Sequence, residues 1–221
     1  MELDFTTPQI CVFLGKPKKG KSWALRHLIL KNTVDEKIFK YGIVFSRTKF
    51  NGDYKWLPDD YVYEDYDSAV LQQYLDGLKA LDPKDLQPSF IIFDDIQGVL
   101  SSNDPVLNSL NACHRHFKIN IFYCFQYIYG RGSTPVLREC TTLAFLFNSK
   151  GKRTLEALYE NFGQLFDSFQ EFKDYYLACT KEKYTAMLYI QDVENRDENY
   201  LQYKAPGPKE LKHVKDVQLQ Y

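Results

Sequence analysis

The stretch Gly15-Lys16-Pro17-Lys18-Lys19-Gly20-Lys21-Ser22 decides the fold of this chain. It matches the pattern G-x-x-x-x-G-K-[ST] at every position, which is the signature of a phosphate-binding loop. Residues 9–14 before it are largely apolar and predict a strand, and residues 22–31 after it have the apolar spacing of a helix. A strand, this loop and a helix in succession form the unit that holds the phosphates of a nucleotide.

Each part of this loop has a chemical role. The glycines let backbone amides approach phosphate oxygens, and the start of the helix adds partial positive charge. Lys21 can reach the β- and γ-phosphates, and the Ser22 hydroxyl can ligate Mg²⁺, whereas Pro17 removes one amide donor. We therefore expect ATP and Mg²⁺ as ligands. The expected nucleotide-binding residues are Gly15, Lys16, Pro17, Lys18, Lys19, Gly20, Lys21, Ser22 and Trp23.

The composition indicates one domain in a reducing compartment. The 221 residues carry a net charge of −1, so any contact with DNA must come from a local patch or from assembly of several copies. Five cysteines without a C-x-x-C pair indicate reduced thiols. No apolar run is long enough to span a membrane. We expect a single domain over residues 1–205 and a loosely packed tail over 206–221.

Apolar segments alternate with helical ones along the chain. Strands are predicted at 9–14, 42–46, 61–64, 89–96, 119–126 and 142–148, and a terminal hairpin at 184–191 and 200–204. Helices are predicted at 22–31, 67–81, 104–117, 152–162 and 165–178, with a helical turn at 135–139 and a loop at 48–58. This alternation predicts an α/β fold with a mostly parallel sheet covered by helices on both faces and a small C-terminal hairpin.

Polar residues stand at the ends of two of these strands, where the chemistry of a parallel sheet is found. Asp94 would hold Mg²⁺ through water, and Asp95 would orient or deprotonate the attacking water. Gln126 could sense the γ-phosphate or hold that water. In isolation, an acid pair can simply cap a strand, and an amide can simply form a turn.

Transfer of a phosphoryl group also needs a cation besides Lys21. Arg115, Arg131 and Arg138 are candidates, and the residues alone do not choose among them. Lys18 and Lys19 could supply the charge from within the loop.

The series Arg115-His116, Gln126 and Leu137-Arg138 resembles the core of the FtsK–HerA superfamily of ring-forming DNA pumps. It is most similar to the poxvirus-like genome-packaging ATPases of large double-stranded DNA viruses. The resemblance spans residues 9–165 and implies a P-loop NTPase of the additional-strand, RecA/FtsK-like type. It places Arg115 and Arg138 near the carboxyl edge, with Arg115 slightly preferred as the arginine donated to a neighbouring subunit. Many members carry Asp-Glu where this chain has Asp94-Asp95.

The resemblance implies an ATP-driven translocase that packages double-stranded DNA into a capsid. It would form a ring of five or six copies, bind DNA without sequence preference and possess a partner at the capsid vertex. It would act in the virion or in the host cytoplasm or viral factory. Two alternative functions remain open. One is a nucleotide or metabolite kinase, with residues 130–132 as part of a lid, and the other is a non-motor NTPase.

Overall fold

The computed structural model describes residues 3–128, 139–191 and 195–206. One sheet of eight strands organises the chain. The strands are β1 (Ile10–Leu14), β2 (Tyr41–Ser46), β3 (Val62–Tyr63), β4 (Ser89–Asp94), β5 (Ile119–Phe125), β6 (Leu143–Phe147), β7 (Thr185–Ile190) and β8 (Tyr200–Lys204). Their order is β3-β2-β4-β5-β1-β6-β7-β8. Strands β3 to β6 along this order are parallel, and β7 is antiparallel to both β6 and β8.

Helices cover both faces of the sheet, which confirms the predicted α/β class. The helices are α1 (Lys21–Leu30), α2 (Ser68–Lys79), α3 (Pro105–Cys113), α4 (Lys152–Phe162), α5 (Phe169–Cys179) and the short α6 (Arg196–Asn199). Helix α1 packs on one face, together with buried side chains of the loop that follows β2. Helices α2, α3, α4 and α5 pack on the other face.

Alternate residues of each central strand enter the two cores. In β1, Ile10, Val12 and Leu14 face the side of α2 to α5, whereas Cys11 and Phe13 face the side of α1. Both sets are buried. Because neither face of these strands meets water, they appear in the sequence as continuous apolar runs rather than as an alternation of apolar and polar residues.

The strand order brings distant sequence segments to one edge of the sheet. The carboxyl ends of parallel strands lie at the same edge, and β5 lies between β4 and β1. The residues that follow β1, β4 and β5 are therefore neighbours in space, although the phosphate-binding loop and Gln126 are about a hundred residues apart. This placement is the additional-strand arrangement that the resemblance implied.

Several elements differ from their predicted form. The predicted polar and aromatic loop 48–58 contains a helical turn at Lys49–Asn51 and buries Tyr54, Trp56 and Leu57. Helix α5 begins four residues later than predicted, where the Ser168 hydroxyl accepts a hydrogen bond from the Glu171 amide at 3.2 Å. The terminal hairpin is present as β7 and β8, but it extends the main sheet beside β6.

Some expectations lie beyond what the structure describes. Most of the predicted turn at 135–139 and most of the tail lie outside the described residues, so the division at residue 205 stays a prediction. Within the described ranges, no helix is long and apolar enough to cross a membrane. All five cysteines are free thiols.

Candidate active site

The phosphate-binding loop runs from the end of β1 to the start of α1, and its two glycines are required by close contacts. A Cβ on Gly15 would lie 2.7 Å from the Phe147 Cβ, which is closer than real Cβ atoms come. Gly20 has a φ of 106° and lies against Tyr184, with 3.2 Å between an added Cβ and the ring. The loop is thus pressed between the end of β6 and the start of β7, where only glycine fits.

The side chain of Lys21 lies inside this loop and is only 9% exposed. Its ammonium group donates hydrogen bonds to the carbonyl oxygens of Gly15 and, at 3.2 Å, Lys16. Burial lowers the pKa of Lys21, while the nearby Asp94 and Asp95 oppose that change. A desolvated cation that the protein already holds in place is well prepared to meet the phosphates of a nucleotide.

Asp94 is the last residue of β4 and is buried, with 6% of its surface exposed. Burial raises the pKa of Asp94 to about 6. The Tyr54 hydroxyl, which donates a hydrogen bond of 2.7 Å to Oδ2, and the Lys21 charge both oppose this rise. The carboxylate is therefore held in an environment that disfavours its own charge, which a bound cation would relieve.

Asp95 differs from its neighbour in exposure and in backbone geometry. It is exposed, and its φ of 54° lies in the left-handed region that a non-glycine residue seldom adopts. Its Oδ1 accepts a hydrogen bond of 2.8 Å from the Gln126 amide. Backbone strain of this kind concentrates at functional sites, and here it turns the carboxylate toward the end of β5.

These groups line one cleft of about 420 Å³. Its walls are formed by Pro17, Lys18, Gly20, Lys21, Ser22, Trp23, Thr48, Asp94, Asp95, Cys124, Gln126 and Tyr184. The structure thus brings the loop, the acid pair and Gln126 together as the sequence predicted.

Four residues of the site were missed by the sequence analysis: Tyr54, Thr48, Tyr184 and Cys124. The first two lie in the segment after β2, and Tyr184 precedes β7. Only the concentration of aromatic residues around position 54 could have drawn attention to that segment. The contact between Tyr54 and Asp94 joins residues 40 positions apart, so no local pattern reveals it.

The donors at this site suit Mg²⁺ bound together with a nucleotide. No group of three or more His, Cys, Asp or Glu side chains within the described residues could hold a metal alone. Mg²⁺ commonly takes one or two protein oxygens and completes its shell with water and phosphate oxygens. Ser22 supplies a hydroxyl oxygen, and Asp94 supplies a buried carboxylate whose negative charge a cation would stabilise. The residues present therefore fit the ion.

The arginine prediction requires one correction. Arg115 lies in the helical turn His114–Phe117, directly before β5, whereas Gln126 directly follows that strand. A residue that precedes a parallel strand lies at the amino edge, so Arg115 is at the opposite edge from the cleft and not near the carboxyl edge. It is exposed there. Arg131 and Arg138 lie outside the described residues.

Comparison with known proteins supports the architecture. No protein-family model matches the chain. The uncharacterized protein 075L of Invertebrate iridescent virus 6 is 23% identical over 198 residues, which cover 86% of this chain and 73% of that protein.

Among solved structures, the genome packaging NTPase B204 of Sulfolobus turreted icosahedral virus 2, in complex with ATP-gammaS, matches with a TM-score of 0.67 at 16% identity. The match covers 91% of this chain and 98% of that one. The pCW3 conjugation coupling protein TcpA matches with a TM-score of 0.64 at 12% identity, over 93% of this chain and 62% of that one.

The comparisons support the fold. The chain shares with these structures an α/β fold with an eight-stranded, mostly parallel sheet and antiparallel C-terminal strands. It is similar in this fold to a viral genome packaging NTPase and has a distant viral relative.

Proposed function

We propose that this protein hydrolyses ATP with Mg²⁺ and uses the energy to move double-stranded DNA into a viral capsid. The observation that carries the hydrolysis step is the 2.8 Å hydrogen bond between Gln126 and Asp95 in the cleft beside the phosphate-binding loop. This bond joins the carboxylate of Asp95, which can act on water, to the amide of Gln126. Gln126 directly follows β5, the strand that lies between β4 and β1.

Different residues of the cleft would have different roles in hydrolysis. The backbone N–H groups of residues 18–22 and the Lys21 ammonium bind the β- and γ-phosphates. Ser22 and Asp94 would hold Mg²⁺, which neutralises phosphate charge when it is bound. Asp95 orients the attacking water and accepts its proton, and Gln126 keeps that carboxylate in place. Asp95 is one methylene shorter than the glutamate common in this superfamily, and its left-handed backbone sets where its short side chain reaches.

A ring of five or six copies would complete this site. In a ring of head-to-tail subunits, the surface around the ATP cleft faces a different surface of the next copy. Arg115, exposed at the opposite edge of the sheet, would then be presented to a neighbour's cleft. Arg138 is the alternative donor of this charge, and Lys18 or Lys19 would serve if neither arginine acts across the boundary.

The proposed substrate of the motor is duplex DNA of any sequence. A pump must pass every sequence, so it should contact phosphates rather than bases, and its affinity should fall steeply with salt. Support comes from the matched packaging NTPase and from the resemblance of residues 9–165 to genome-packaging ATPases. The protein would act in the virion or in the host cytoplasm, with a capsid vertex protein as its docking partner.

The test is ATP hydrolysis by the full chain with and without duplex DNA, alongside native mass measurement of the assembly. We expect DNA to stimulate hydrolysis and ATP to favour a closed ring. Phosphorylation of a small acceptor would support a kinase instead. Tight, sequence-selective DNA binding at high salt would contradict a packaging motor.

A further inference from the structure

A second cleft lies directly beside the ATP cleft and is strongly basic. It has a volume of about 580 Å³, and it shares Lys18 and Tyr184 with the ATP cleft. Its lining includes five lysines and a single acidic residue, Glu182. The lysines are Lys18, Lys19, Lys150, Lys181 and Lys183.

Within the described ranges, the lysines of this cleft form no ion pair with an acidic side chain. All five lysines are exposed. Glu182 is engaged elsewhere, since it accepts a hydrogen bond of 2.8 Å from Lys204, which lowers the pKa of Glu182. On a chain with a net charge of −1, such a concentration of unpaired cations marks a site for an anion.

The walls of the cleft are held by hydrogen bonds rather than left as loose surface. The lysines come from the phosphate-binding loop, the end of β6 and the turn between α5 and β7. The Asn148 amide donates to the carbonyl and hydroxyl oxygens of Thr180 at 3.1 and 3.0 Å, which ties β6 to that turn. The Tyr176 hydroxyl adds a bond of 2.6 Å to the Phe147 carbonyl.

We propose that this basic cleft binds the sugar–phosphate backbone of the DNA that the motor moves, an inference that rests on the proposed function. The cleft is too small to hold a whole duplex, so one strand would lie across it, with about one charge per 3.4 Å of helix axis. Five ammonium groups exceed what one ATP requires, because Lys21 and a bound Mg²⁺ would already neutralise much of its phosphate charge. Since Lys18 and Lys19 belong to the phosphate-binding loop, DNA in this cleft contacts the nucleotide site directly.

The experiment compares two double variants of the full chain with the wild type. Lys181→Ala/Lys183→Ala removes two charges from the wall of the cleft that is farther from the loop. Lys79→Ala/Lys84→Ala is the control for loss of net charge, because it removes two exposed lysines near the amino edge of the sheet, which pair with Asp76 and Asp82. Affinity for a fluorescent 30-base-pair duplex of mixed sequence is measured by anisotropy from about 50 to 200 mM salt, a range in which phosphate contacts control binding.

We expect the cleft variant to bind DNA about tenfold or more weakly at low salt, with the slope of log affinity against log salt reduced by about 2. The control should keep the wild-type slope. A cleft variant with the slope of the control would overturn the inference while leaving the proposed function intact. A wild type that does not bind duplex DNA would overturn the proposed function itself.

The same variants separate DNA from a nucleotide as the occupant. Affinity for ATP-gammaS is measured by titration without DNA. The inference requires DNA affinity to fall by a much larger factor than nucleotide affinity. An equal or larger loss of nucleotide affinity would assign the cleft to the nucleoside part of ATP and overturn the proposal.

Discussion

Asp94→Asn should make the protein more stable at neutral pH in the absence of Mg²⁺. Burial moves the pKa of Asp94 from 3.8 to about 6 in the folded protein. A raised carboxyl pKa means that the folded state prefers the neutral form, so its stabilising contribution is complete below pH 3.8 and is lost as the pH rises through 6. A shift of about two units corresponds to about 3 kcal/mol at pH 7 or above.

An asparagine has no charge to bury, and its oxygen can still accept the hydrogen bond of Tyr54. Its amide nitrogen needs a new acceptor, which reduces the gain to about 1–3 kcal/mol. For a chain of this size, that gain raises the unfolding temperature by roughly 3–10 °C. At pH 5 the gain should be smaller by about 1–1.5 kcal/mol, because Asp94 is then largely protonated in the folded wild type.

The assay is thermal unfolding by circular dichroism in EDTA at pH 7.5 and pH 5.0. Asp85→Asn is the control, because it removes the same charge at an exposed turn. Mg²⁺ with ATP-gammaS should stabilise the wild type more than Asp94→Asn, since only the wild type keeps the carboxylate ligand. The reasoning fails if Asp94→Asn gives no gain at pH 7.5, or an equal gain at both pH values.

Four further outcomes test the site. Lys21→Ala should abolish ATP hydrolysis and weaken nucleotide binding in a fluorescent-nucleotide titration, because the buried ammonium is lost; near-normal turnover would reject the assignment of the nucleotide site. Asp95→Asn should retain binding of Mg²⁺ and ATP but slow turnover on the order of a hundredfold, and intact phosphate release would show that the base lies elsewhere. Tyr54→Phe should raise the Mg²⁺ concentration for half-maximal hydrolysis about tenfold or more, because a hydrogen bond to a charged group is removed; an unchanged Mg²⁺ titration would count against that role. Mixing Arg115→Ala with Lys21→Ala subunits should restore some hydrolysis, because an arginine supplied across a boundary contributes roughly a thousandfold. Mixed rings without activity would rule out Arg115, and the same mixture with Arg138→Ala would then be measured.

The main features of the fold could be read from local sequence. The phosphate-binding loop is a contiguous motif, and its strand and helix follow from apolar spacing within a few residues. The start of α3 is also set by neighbouring residues: Asp104 accepts hydrogen bonds from the amides of Val106 and Leu107 at 2.9 and 3.2 Å, and Pro105 is the first residue of the helix. Residues at strand ends could be assigned to one edge because all carboxyl ends of parallel strands share it.

The placement of Arg115 shows where the resemblance was wrong. Its position before β5 puts it at the amino edge, as the predicted strand at 119–126 already required, although the resemblance suggested the carboxyl edge. The buried segment after β2 shows the limit of local sequence. Its aromatic residues are stabilised by packing beside α1 and by the bond to Asp94, and neither partner is near in sequence.

The sequence by itself therefore determined the phosphate-binding loop, the acid pair, Gln126 and the parallel α/β class, since each depends on contiguous motifs or short-range periodicity. Only the tertiary structure decided that Gln126 donates to Asp95, that Tyr54 holds Asp94, and that lysines from three segments form one basic cleft. These contacts depend on strand order and on the side-chain packing around it. Both arise from interactions between residues far apart in the chain, which no local pattern encodes.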